Sequence, residues 1–197
     1  RDRIVRLKDL NGDGETDYYE NFCDDFAVSP GGHDFSVGLQ RDANGYFYFV
    51  SAKEGVVRIA PDGRSAESLA SGLRNANGLG VTPNDDVIVV STNQGDWTPA
   101  SAVFEVEQGD FYGRGAKKEG PEIAPAMCYI PRTYCNSTGG QAFVDSASWG
   151  TLQGQLLTFS FGAGTWQMIL RDSSGEGKRT QGALVPLPGD FESGAQR

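Results

Sequence analysis

The sequence contains no run of eighteen apolar residues, so nothing in it reads as a membrane-spanning helix. Positive charge is scarce: 17 Lys and Arg stand against 26 Asp and Glu, a net charge of −9. A surface built to hold a phosphate backbone needs the opposite balance, which argues against a nucleic-acid partner and for a small or neutral one. Histidine occurs once, at His33, and cysteine three times, at Cys23, Cys128 and Cys135. Three cysteines are too few for a disulfide scaffold, and their spacing forms neither CxxC nor CxxCH. Cys128 and Cys135 bracket six residues, and both a local disulfide and two free thiols remain open. Periodic helical patterning is missing as well, so little helix is expected.

Glycine is abundant, 27 of 197 residues, and it punctuates short β-rich runs. Strands are expected near residues 3–7, 46–51, 56–60, 87–92, 102–106, 156–161 and 167–170. Turn signals separate them: Asp42-Ala43-Asn44-Gly45, Pro61-Asp62-Gly63, Pro83-Asn84-Asp85 and Asp172-Ser173-Ser174-Gly175. An offset of 40 residues lays 38–51 over 78–91 with Gly, Leu, Asn, Val and Ser identical. Each copy is a short strand, an Asn/Asp/Gly turn and a β-rich strand, and a period of about 40 with that content is the signature of a propeller blade. The expected fold is therefore all-β, a β-propeller of the six-bladed type. A closed ring at about 40 residues per blade exceeds this length, so the expectation is a partial arc of three to four blades. Residues 1–197 read as one partial propeller domain, a fragment of a larger protein. Residues 112–140, rich in Pro and Gly, read as a long excursion between blades, of the kind that more often serves function or an interface than a core.

Two sets of residues carry chemistry. Asp9-Leu10-Asn11-Gly12-Asp13-Gly14, followed by Asp17 and Glu20, fits the twelve-residue calcium loop D-x-N-x-D-G-x5-E. Strand-like residues precede it and no helical pattern follows, so it reads as a Ca2+-type loop on a β-hairpin. Asp9, Asn11, Asp13 and Asp17 are the expected ligands, with Glu20 as a further candidate; a metal-free Asp/Gly turn is the plain alternative. The second set follows from the repeat. His33 precedes the first hairpin, Arg74-Asn75 precedes the second, and Gln94-Gly95 follows it. Antiparallel pairing returns each chain to the face it left, so these groups are expected on one face. An imidazole beside a guanidinium that steadies a developing oxyanion suits proton or hydride transfer. No Ser or Cys in a nucleophile motif accompanies them.

The segments from His33 to Leu39, from Ser71 to Asn75, from Ser91 to Asp96 and from Gly109 to Gly113 resemble the soluble PQQ-dependent sugar and sorbosone dehydrogenases, which are six-bladed propellers. The run from His33 onward is also similar to large, cytochrome-linked "membrane-bound dehydrogenase" proteins of planctomycete-type bacteria. The resemblance implies that His33 is the general base taking the proton of a sugar or other alcohol. It implies that Arg74 and Asn75 contact the oxygens of PQQ, and that Gln94-Gly95 offers carbonyl oxygens to a Ca2+ beside it. It further implies a periplasmic or secreted location and a cytochrome c domain as electron acceptor, which lies outside this chain because no CxxCH occurs. One departure is that Asp96 stands where the sugar dehydrogenases have proline. Two other readings fit a propeller: a calcium-dependent lactonase-like hydrolase, to which Asn77 and Asp96 would contribute, and a non-catalytic docking module.

Overall fold

A computed structural model describes residues 3–27, 35–84, 86–91, 101–117, 119–172 and 179–192, with backbone alone at 89–91. Among the described residues, regular structure consists of fifteen strands and one six-residue 3-10 segment, Ala147–Leu152. No described helix is long and apolar enough to cross a membrane. The strand β1 (Ile4–Lys8) pairs antiparallel with β2 (Tyr18–Cys23) to form a two-stranded sheet. Next, β3 (Ser36–Arg41), β4 (Phe47–Ser51), β5 (Gly55–Ile59) and β6 (Ala66–Ser71) form an antiparallel meander, blade 1. The strands β7 (Leu79–Val81), β8 (Val87–Ser91) and β9 (Ser101–Glu105) begin blade 2 in the same way.

The chain then steps back, and β10 (Asp110–Phe111) joins the outer edge of blade 1 parallel to β6. The strand β11 (Cys128–Ile130) returns to complete blade 2 against β9. Blade 3 is the meander β12 (Thr138–Phe143), β13 (Leu156–Ser160), β14 (Trp166–Asp172) and β15 (Gln181–Pro186). One five-stranded and two four-stranded blades make this a partial propeller, as the 40-residue repeat predicts. The 112–140 stretch is not a mere excursion, however. It supplies β11, and its Tyr112, Met127, Ile130 and Cys135 are buried. A three-residue strand is too short to show alternation, which is why the sequence hides it.

Strand alternation explains how the blades stack. In β4, Phe47 and Phe49 turn to one face, where Phe22 and Phe26 meet them at ring distances of 5.2 and 4.8 Å. This cluster includes Cys23, Val57 and Ile59 and holds the β1–β2 sheet on blade 1. Tyr48 and Val50 turn the other way, into a cluster with Val56, Leu79, Val87 and Phe104 that joins blades 1 and 2. A third cluster, with Ile88, Val103, Ile130, Leu156 and Ile169, joins blades 2 and 3. None of the three cysteines is joined in a disulfide, which answers the question left open for Cys128 and Cys135. Burial pushes the Cys128 thiol up to about 11, away from the reactive thiolate.

At the centre the inner strands β3, β7 and β12 approach backbone to backbone. Gly38 (φ 75°) and Gly78 (φ 138°) occupy conformations that side chains disfavour. A Cβ on Gly38 would sit 2.5 Å from Gly78 Cα, and one on Gly78 would sit 3.2 Å from Gly140 Cα. Glycine at corresponding places in three blades therefore lets the innermost strands converge.

Candidate functional site

The mouth of the arc is built where inner strands begin and second strands end. Phe35 immediately precedes β3, Ser51 ends β4, Asn75 and Asn77 precede β7, Ser137 precedes β12, and Phe161 follows β13. These six residues line one cavity of about 380 Å³. Three blades thus deliver amide, hydroxyl and aromatic groups to one place. Phe35 and Phe161 keep exposures of 51% and 45%, although both are phenyl rings beside a cavity. A second space of about 350 Å³ continues along the glycine-lined inner strands, past Gly38, Gly78 and Gly140.

The connection into blade 2 is held in shape by blade 3. Asn75 adopts the left-handed conformation at φ 46°, uncommon for a residue with a side chain. Thr138 Oγ1 donates to Asn75 O at 2.8 Å, and Asn77 Nδ2 donates to Thr138 O at 2.8 Å. This reciprocal pair fastens the Asn75–Asn77 turn to β12 and fixes its side of the cavity. Ser51 Oγ accepts from the N–H groups of Lys53 and Glu54, which orders the opposite wall.

Of the residues expected from sequence, Asn75 lines the cavity. Arg74 is half-buried beside it and is not among the described residues of the lining. His33, Gln94 and Gly95, like Asp96, lie outside the described residues. Sequence reasoning passed over Phe35, Ser51, Ser137 and Phe161, and weighed Asn77 only for a hydrolase. Ser51 carried a usable signal, because it is one of the identities of the repeat, aligned with Ser91.

The Asp9–Asp17 loop lies elsewhere, at the tip of the β1–β2 hairpin. Its oxygens already organise the turn. Asp9 accepts from Gly12 N and Gly14 N at 2.6 and 2.8 Å, Asn11 Oδ1 from Asp13 N at 2.9 Å, and Asp13 Oδ1 from Glu15 N at 2.8 Å. Asp17 Oδ2 accepts from Leu10 N at 2.7 Å. The N–H groups of Gly14 and Gly12 hold the Asp9 carboxyl below its usual range. Glu20 is directed differently: it lies in β2, where Lys8 and Arg6 take its two oxygens at 3.1 and 3.3 Å. Among the described residues, no group of three or more His, Cys, Asp or Glu side chains is gathered closely enough to hold a metal ion.

No protein-family model matches the chain, and no curated protein does. Its fold is that of the sugar-dehydrogenase propellers. The PQQ-bound aldose sugar dehydrogenase of Streptomyces coelicolor superimposes with a TM-score of 0.64 at 15% identity, over 92% of this chain and 58% of that one. An oxidoreductase of Thermus thermophilus described as a glucose dehydrogenase gives 0.67 at 18% identity, over 97% and 63%. The apo-form soluble aldose sugar dehydrogenase of Escherichia coli gives 0.63 at 15% identity, over 92% and 62%. The chain thus spans less than two thirds of each of these proteins. At such identities the likeness establishes a shared β-propeller architecture.

Proposed function

We propose that residues 1–197 are one propeller portion of a larger oxidoreductase of the PQQ-dependent sugar dehydrogenase kind, oxidising a sugar or other alcohol. The observation that carries this reading is the mouth cavity, where Asn75, Asn77 and Ser137 stand with Phe35 and Phe161 around about 380 Å³. That volume lies within the range of small-ligand sites, about 300–1,000 Å³. Exposed phenyl faces with a few convergent amides suit a flat, oxygen-rich ligand, so the residues present fit PQQ. When bound, PQQ would supply the two-electron acceptor. Asn75 and Arg74 are its proposed contacts, and Gln94-Gly95 the proposed carbonyl source for an adjoining Ca2+.

In this reading the His33 imidazole takes the proton of the substrate hydroxyl, and the Asn75–Asn77 turn, held by Thr138, orients the reacting groups. The phenyl rings exclude water from the apolar faces of the ligand. A cytochrome c domain outside this chain is the proposed electron acceptor, as in the planctomycete-type proteins that the sequence resembles, and the proposed location is periplasmic or secreted. The test is dye reduction by the whole protein with added PQQ and a panel of aldoses and alcohols. His33→Ala should lower turnover by about 10² to 10⁴ while leaving PQQ affinity nearly unchanged. Lactone hydrolysis in place of dye reduction would establish the hydrolase reading instead, and silence in both assays the docking module.

The proposal for the remote loop is a structural Ca2+ held by Asp9, Asn11, Asp13 and Asp17, whose hard oxygens suit that ion. Its support is the ligand spacing, with Glu20 committed to Lys8 and Arg6. Calcium at a hundred times its dissociation constant should stabilise the fold by about 2.7 kcal/mol, and Asp13→Ala should abolish the gain. Identical melting in calcium and in chelator would leave a metal-free turn.

A further inference from the structure

Blade 3 carries a row of polar side chains at positions where hydrocarbon is the rule. Gln141 on β12 stands directly opposite Thr158 on β13, and Thr158 stands opposite Gln167 on β14. Their exposures are 1%, 0% and 0%. Alternation along the strands places them on the same face as Leu156 and Ile169, which belong to the cluster shared with Ile88 and Val103 of blade 2. The row therefore lies inside the interface between blades 2 and 3. Its inner end is closed by the backbone of β7, since a Cβ at Gly80 would stand 3.1 Å from Gln141 Cβ.

Hydrogen bonding fixes which way each amide points. Gln141 Nε2 donates to Gly139 O at 2.9 Å. Gln167 Nε2 donates to Thr165 Oγ1 at 2.8 Å and to Tyr134 O at 3.3 Å. Turning either amide over would set its oxygen against a carbonyl oxygen, so the assignment of N and O is secure. Three buried polar atoms of the row then remain without a partner among the described residues: Gln141 Oε1, Thr158 Oγ1 and Gln167 Oε1. Buried polar groups left unpaired are rare in native proteins, because each forfeits its hydrogen bond to water.

We propose that this row is a binding site for one internal water molecule. The water donates its two hydrogens to Gln141 Oε1 and Gln167 Oε1 and accepts the hydrogen of the Thr158 hydroxyl. Three bonds are the usual complement of a buried water, and all three orphaned atoms are satisfied at once. A sodium or potassium ion suits the row less well. The row carries no carboxylate to balance a cation, and the Thr158 hydroxyl hydrogen would still lack an acceptor. The proposal is independent of any activity at the mouth.

The test combines a high-resolution crystal structure of the unmodified protein with oxygen-17 magnetic relaxation dispersion on it and on the Gln141→Met variant. The expected result is density for one water within hydrogen-bonding distance of all three atoms, together with a dispersion amplitude that falls by one long-lived water in the variant. Direct bonding of the three side chains to one another, with no water between them, overturns the proposal, as does an unchanged amplitude in Gln141→Met. Density refining as a cation, with melting raised by potassium or sodium but not by choline at equal ionic strength, also overturns it. If Gln141→Met does not fold, the density in the unmodified protein decides alone.

Discussion

The two interfaces between blades share an architecture and differ in chemistry. Between blades 1 and 2 the packing centres on Phe104 stacked on Tyr112 at 4.1 Å, with the buried Asp110 carboxylate at the edge accepting from the Tyr112 hydroxyl. Between blades 2 and 3 the hydrocarbon of Ile88, Val103 and Leu156 lies beside buried Gln141, Thr158 and Gln167. Ion pairs run from the blade 3 side of the chain to both other blades: Arg179, which precedes β15, reaches Asp110 on the edge of blade 1 and Glu107 after β9, and Arg171 reaches Asp86 in the turn of blade 2. The first interface works by area and tolerates small shifts. The second depends on register, because a slip of one residue on any strand would turn the polar row away from its partners.

The sharpest way to break the first interface is Phe104→Ala. A buried phenyl lost from a packed stack should cost about 3–5 kcal/mol, read as a lower urea midpoint with unchanged slope. A cost near 1 kcal/mol would mean that the two blades close over the gap and that area matters less than supposed.

Charge also ties blade 3 back to β10, on the outer edge of blade 1. Arg179 donates to both Asp110 oxygens at 2.8 and 2.7 Å, and Tyr112 and the Glu107 N–H also bond that carboxylate, which is only 7% exposed. Burial alone would raise the Asp110 carboxyl, but Arg179 and the other donors outweigh it and hold the group below its ordinary 3.8. Arg179→Ala should therefore cost about 2 kcal/mol near neutral pH, because it leaves a buried charge short of a partner. A carboxyl depressed by folding contributes its full stability above 3.8 and loses it as acid carries the pH down through the lower folded value. The difference between wild type and variant should consequently narrow in acid. A difference that is flat down to strongly acidic pH would assign the effect to packing of the Arg179 stem.

The smallest expected effect is that of Arg171→Ala. Its pair with Asp86 spans 3.2 Å with both side chains partly exposed, so about 0.5 kcal/mol is expected, shrinking with added salt. A loss several times larger would show that the polar side of the second interface acts as one unit.

The same contrast explains what the sequence discloses. Strands such as β4, β8 and β13 are apolar, β-branched or aromatic along their length, and their places were readable. The strand β12 was not, because Thr138, Gly139, Gly140 and Gln141 answer to close backbone approach and a buried polar row, neither of which has a periodic signature. The third member of the glycine series was missed for a related reason: 112–140 intervenes, so Gly140 falls far beyond the forty-residue step from Gly78. Without blade 3 in register, Ser137 and Phe161 could not be placed at the mouth. Asn75 could, since two blades suffice to bring it there. The calcium pattern was legible in full, yet spacing alone does not reveal that Glu20 faces Lys8 and Arg6.

The glycines along the axis also act as a pivot. A blade four strands wide, at about 4.8 Å per strand, is a lever whose short end rests where Gly38 meets Gly78. A single methyl group inserted there would have to displace backbone, since its carbon would lie 2.5 Å from Gly78 Cα, and the displacement would be converted into rotation of one blade against the next. A ring of blades closes only when that rotation divides a full turn. Two glycines thus set an angle on which the number of blades in any completed ring depends.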